Sequence, residues 1–183
     1  TEVLIGDVDR KPAETDVPAP LVQAMQSGKF KALTFRQSAV IVVLPGGYRE
    51  RLTQADMQLV ANGPGRVEVK GTGFWRGQRS KFSLSTAAPL ADGTVAVKLR
   101  FEATLLDFTY DGTFDVSGRT AEHGPLTLQL KDTERLASAL GTSWPIGTSL
   151  QSVLISGPLR WEAGTIAFDA AKVSIGGNQG RGT

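Results

Sequence analysis

"TVAVKLRFEATLLDFTYDGTFDV", residues 94–116, alternates apolar and polar side chains almost without a break. Val95, Val97, Leu99, Phe101, Ala103 and Leu105 share one parity; Ala96, Lys98, Arg100, Glu102 and Thr104 share the other. Successive side chains of a strand point to opposite faces, so residues 95–105 form a strand with one apolar and one wet face. A second run follows over 108–116, with Phe108, Tyr110, Phe114 and Val116 set against Thr109, Asp111, Thr113 and Asp115. The short connection at Leu106 and Asp107 predicts that the two strands pair. Asp92-Gly93 ahead of them is a hairpin-turn signal.

Working outward, the same period recurs less cleanly at 3–8, 30–35, 39–44, 57–60 and 65–74, then at 80–85, 126–130, 152–156, 164–168 and 172–175. Glycine and proline punctuate these runs at Pro45-Gly46-Gly47, Gly63-Pro64-Gly65, Gly124-Pro125 and Gly157-Pro158, which read as turns. Many strands at short spacing predict a mainly β protein with an antiparallel sheet. Two segments break the pattern. "DTERLASALG" has a capping Asp132, an apolar stripe of Leu136, Ala139 and Leu140, and Gly141 as the stop, so it predicts a short amphipathic helix over 132–140. Residues 19–28, "APLVQAMQSG", predict a second. The polar, proline-rich stretch between Asp9 and Pro20 reads as an exposed loop.

At 183 residues the chain is read as a single domain, 1–183, with enough length for a core. Net charge is +2 with no cationic run, which argues against a nucleic-acid partner. There is no cysteine, so disulfides, thiolate metal sites and a cysteine nucleophile are excluded. The longest apolar run, Ala39 to Leu44, is far shorter than the roughly 20 residues of a membrane-spanning helix. The chain starts inside one apparent strand and stops where another is due, so it is expected to be a fragment of something longer.

Catalytic signals are weak. The one histidine, His123, sits in what reads as a turn and lacks a G-x-S-x-G partner motif. "GTGFWRG", residues 71–77, resembles a phosphate loop but leads into a strand rather than a helix N-terminus. Gly71 and Gly73 are expected to permit close backbone approach. Phe74 and Trp75, interleaved with Arg76, Arg79 and Lys81, read as an edge hairpin blunted by charge rather than a base-stacking patch. Asp7, Asp9, Glu14 and Asp16 lack calcium-loop spacing. Glu162 beside Trp161, or Asp169, is the rival acid for a carbohydrate-acting enzyme, and a second carboxyl across a cleft is not readable from sequence. Trp144 and Trp161 read as packing anchors. The expectation is no enzyme activity, no cofactor and no catalytic metal.

A repeat underlies the strands. "IAFDAAKVSIGG", from Ile166, lays over "LTFRQSAVIVV", from Leu33: Phe168 on Phe35, Ala171 on Ser38, Val173 on Val40, Ile175 on Val42. "LTQADMQL" keeps the spacing a third time with Leu52, Ala55, Met57 and Leu59. In each copy an apolar and a small residue are three apart before alternation resumes. A continuous strand would flip the later residues to the other face. A bulge or turn at Arg36-Gln37 and Asp169-Ala170 is expected to restore register.

Residues 156–183, "SGPLRWEAGTIAFDAAKVSIGGNQGRGT", and 114–141, where a strand ending in glycine leads to a short helix ending in Leu-Gly, resemble the AsmA family of bacterial envelope proteins. The likeness is specific over roughly the last seventy residues and only patterned before them. It implies membership of the bridge-like lipid-transfer group, with β repeats forming a curved antiparallel sheet with an apolar concave side. It implies a periplasmic domain, an inner-membrane anchor on the parent protein, and phospholipid as partner in outer-membrane and cell-envelope biogenesis. The anchor helix is not in this sequence. On the sequence alone the sheet is either an open groove or sandwich-like, with one or two short helices. The candidate groove residues are Val97, Leu99, Phe101, Phe108, Tyr110 and Phe114. The alternative role is a structural or protein-binding β module of an envelope scaffold, with no lipid transfer.

Overall fold

A computed structural model describes residues 2–6, 31–43, 49–63, 65–115, 120–141, 152–162 and 165–181. Twelve strands form one sheet: β1 (Glu2–Gly6), β2 (Ala32–Val43), β3 (Arg49–Ala61), β4 (Val67–Trp75), β5 (Gln78–Thr86), β6 (Thr94–Ala103), β7 (Leu106–Asp115), β8 (Thr120–Leu130), β9 (Val153–Glu162), β10 (Thr165–Phe168), β11 (Lys172–Ile175) and β12 (Asn178–Arg181). Strand order follows chain order, and every pairing is antiparallel except β1 on β2. β10 and β11 both pair with β9, as two segments of one interrupted strand. The result is an open, curved sheet with one described helix, α1 (Thr133–Leu140); among the described residues no second sheet covers it.

The strands are longer than the sequence suggests, because several expected turns lie inside them. Runs 30–35 and 39–44 merge into β2. Gly124-Pro125 and Gly157-Pro158 sit within β8 and β9, not between strands. Pro125 faces Pro158 across the ladder, so the two missing N–H donors coincide. On their other sides the ladder is already interrupted, by the register shift after Tyr110 and by the turn at Asp169 and Ala170. His123 also lies in β8 rather than in a turn. The β6–β7 turn falls at Thr104 and Leu105, two residues earlier than expected; Leu105 keeps the strand's parity through the turn and is buried, 2% exposed, in the core. Phe74 to Lys81 is a hairpin, but β4 and β5 are interior strands, not an edge. The expected helix over 19–28 and the turn at Pro45 lie outside the described residues.

The repeat has one backbone cause. In β2, Phe35 pairs with Met57 and Ser38 with Ala55, so β2 spends one extra residue between them. In β3, Thr53 pairs with Phe74 and Asp56 with Thr72, again with one extra residue. Phe168 faces Leu159 and Lys172 faces Ser156, the same excess in the β10–β11 segment. Each excess carries a non-glycine residue at positive φ: Gln37 (46°), Gln54 (48°) and Ala170 (63°). Burial then reads exposed, exposed, buried three times: Arg36-Gln37-Ser38, Thr53-Gln54-Ala55 and Asp169-Ala170-Ala171. Each bulge therefore sends two consecutive side chains outward and returns the small residue to the inner face. β8 has a related shift between Ala121 and Gly124, with Gly124 as the small buried residue.

The inner face carries the core. Val40, Leu52, Ala55, Met57, Val69, Trp75, Ala103, Leu105 and Leu136 form one cluster; Tyr110, Leu126 and Leu159 form a second. Helix α1 begins at Asp132, whose Oδ1 accepts the Arg135 N–H at 2.9 Å, and stops at Gly141 in the left-handed region. Leu136 and Ala137 turn inward, so α1 closes the rim of the inner face nearest the β4–β5 and β6–β7 turns.

Candidate functional site

Register places apolar residues in rows that cross the whole sheet. One row runs Phe35, Met57, Gly71, Phe82, Phe101, Phe108, Leu128, Ile155 and Val173, each facing the next. At about 4.8 Å per strand it follows the sheet for roughly 38 Å. A second row runs Leu33, Leu59, Val69, Leu84, Leu99, Tyr110 and Leu126. Except for the buried Met57, Val69, Tyr110 and Leu126, the side chains in these rows are half-buried. Gly71 fits its row because Phe82 lies over it: a Cβ there would stand 2.5 Å from the Phe82 ring.

The six residues singled out from sequence share this face. Leu99 faces Tyr110 and Phe101 faces Phe108; Val97 faces Gly112, and Phe114 faces Val95. Five of the six are half-buried. Tyr110 is different. It is 3% exposed, and its hydroxyl turns back over Gly112 to donate to the Thr113 carbonyl at 3.2 Å. A Cβ on Gly112 would collide with that hydroxyl at 2.3 Å. Burial, and then the nearby Asp111 carboxylate, push its phenol above the usual range. Its ring meets Phe114 edge-on at 5.3 Å. Tyr110 is thus a packed strut within this face. Sequence reading missed Phe82, Leu84, Leu128 and Ile155, which extend the face on either side; alternation in β5 was the available signal.

One rim of the face is fastened. Glu50 accepts Trp75 Nε1–H at 2.8 Å, and Arg76 Nε and Nη2 at 3.1 and 2.6 Å. Arg76 Nη1 also donates to the Ala139 carbonyl of α1 at 2.9 Å. These hydrogen bonds, that from Arg76 foremost, hold the Glu50 carboxyl below the usual range against the opposing effect of burial. Trp75 packs edge-on against Phe101 with centroids 5.7 Å apart. The indole is a core anchor.

The outer face is polar. Lys98 pairs with Asp111 at 2.9 Å, Lys131 with Asp107 at 2.7 Å, Lys70 with Glu68 and Arg100 with Glu102. A hollow of about 1160 Å³ lies on this face over β2–β6. Asp169, one rival catalytic acid, sits at an outer bulge 3.7 Å from Arg160; the side chain of Glu162, the other, lies outside the described residues. Among the described residues no cluster of three or more His, Asp or Glu could hold a metal, and no helix is long and apolar enough to cross a membrane. Comparison of the chain with protein-family models, with curated proteins and with solved structures gives no match.

Proposed function

We propose that this chain is a non-enzymatic, lipid-carrying β domain of a bacterial envelope protein similar to AsmA. In this reading it lies in the periplasm, its parent is anchored in the inner membrane, and phospholipid acyl chains travel along the inner face in outer-membrane biogenesis. One observation carries the reading. The apolar rows run unbroken across the sheet, yet Leu84, Leu99, Phe101, Phe108, Leu128 and Ile155 remain only half-buried. A one-faced apolar sheet is stable only when something covers it. Acyl chains are a cover that can move along it. The headgroup would stay at the open rim, where Val95, Val97 and Phe114 lie, because α1 closes the opposite one.

The packed rim favours the second reading, a protein-binding envelope module, since Trp75, Leu105 and Leu136 are sealed there as in an ordinary core. Native mass spectrometry of the gently extracted full-length protein separates the two. Co-purifying phospholipid, lost on Phe108→Asp with the fold retained by circular dichroism, is the expected result. Lipid-free protein throughout would overturn the lipid reading.

A further inference from the structure

The outer face carries a feature that the lipid reading does not use. Two adjacent strands, β2 and β3, each double their outward side chains at a bulge, so Arg36, Gln37, Thr53 and Gln54 crowd onto one patch. Gln37 and Gln54 hold a backbone conformation unfavourable to side-chain-bearing residues, and such outliers gather at ligand sites. Beside them opens the hollow of about 1160 Å³, into which Arg36, Lys70, Lys81 and Arg100 project.

The charges there are unevenly committed. Glu102 is held by Arg100, and Asp56 accepts the Gln37 backbone N–H at 2.9 Å. Lys70 is held by Glu68. Arg36 and Lys81 have no ion pair among the described residues. They stand three strand positions apart, roughly 14 Å between backbones, too far for one small anion without both side chains leaning inward. Thr72, facing Lys81 on the next strand, offers a hydroxyl between them, Gln37 an amide beside Arg36, and Asp56, also between them, a carboxylate already turned to the Gln37 N–H. The lining sets Arg36, Lys70, Lys81 and Arg100 against the two carboxylates of Asp56 and Glu102, and two separated cations in a net positive hollow suit a ligand bearing more than one phosphate.

We propose that this hollow is a binding site for multivalent phosphate, clamped by Arg36 and Lys81 and hydrogen-bonded by Gln37 and Thr72. The phosphates can come from a soluble polyphosphorylated molecule or from clustered lipid headgroups. The site lies on the face opposite the apolar rows, so it stands or falls independently of lipid carriage.

The probe is inorganic tripolyphosphate, titrated calorimetrically into the intact chain. Saturable binding is expected, weakened at least about tenfold in the Arg36→Gln/Lys81→Gln double variant and changed less than about twofold in Lys98→Gln, which removes an outer-face charge outside the hollow. Both variants replace exposed side chains, and circular dichroism checks their fold. Cosedimentation with phosphatidylglycerol vesicles then assigns the source. Vesicle binding that tripolyphosphate displaces points to headgroups; tripolyphosphate binding without vesicle binding points to a soluble ligand. Absence of saturable tripolyphosphate binding, or equal loss in Lys98→Gln, overturns the proposal.

Discussion

Gln54 holds φ at 48°, a conformation glycine adopts freely and other residues adopt at a cost of about 1–2 kcal/mol. Gln54→Gly removes that cost but loosens the unfolded chain, so the net gain expected is about 0–1 kcal/mol. Gln54→Val puts a β-branched residue there and is expected to lose about 1–2 kcal/mol. Urea unfolding of the pair checks the ordering. One residue on, Ala55 is wholly buried between Ser38 and Gly73, so Ala55→Leu is expected to cost about 1–3 kcal/mol by overpacking. A midpoint unchanged from wild type would show that the bulge line yields. The spacing of large and small residues at these bulges was legible in the sequence. The positive φ was not, because the bulges use Gln37, Gln54 and Ala170, where glycine would have announced it. Those side chains point to solvent and need no packing, so residue type there carries no signal.

Helix α1 is the element the sequence marked best, since Asp132 and Gly141 are its physical start and stop. Leu136→Ala should cost about 2–4 kcal/mol, because Leu136 is 6% exposed within the larger core cluster. What the sequence hid is the fastening of α1 to a distant hairpin through Glu50 and Arg76, which lie 26 positions apart. The Glu50 carboxyl is held below its usual range, so its contribution is complete above the ordinary glutamate pKa. That contribution is lost as pH falls through the lowered folded value. Glu50→Gln is therefore expected to cost about 1–3 kcal/mol at pH 7, with the gap to wild type closing below about pH 4. A gap that stays constant from pH 7 to pH 3 would remove the ionised clasp from the account. Strand ends were less legible than α1. Facing Pro125 and Pro158 continue a sheet only because neighbouring interruptions absorb their missing donors, a coincidence no single segment displays.

Across the whole molecule, alternation revealed which side chains share a face but not how far the face continues. Residues 94–116 were legible because both strands alternate cleanly. Leu128 and Ile155 join the same row only through pairings set by β8 and β9, which contain the misread prolines. The outer hollow draws on five strands, so nothing local foretold it. The order of the strands has a mechanical meaning of its own. β1 lies at one margin and β12 at the other, with consecutive strands adjacent nearly throughout. Tension applied between residues 2 and 181 acts across the strands, so the ladders open like a zipper, a few hydrogen bonds at a time, rather than shearing together. Peeling from the β12 margin opens β12, β11, β10 and β9 before it reaches the α1 fastening at Arg76. Single-molecule stretching should then show small steps followed by one larger event, and Arg76→Ala should lower that event alone.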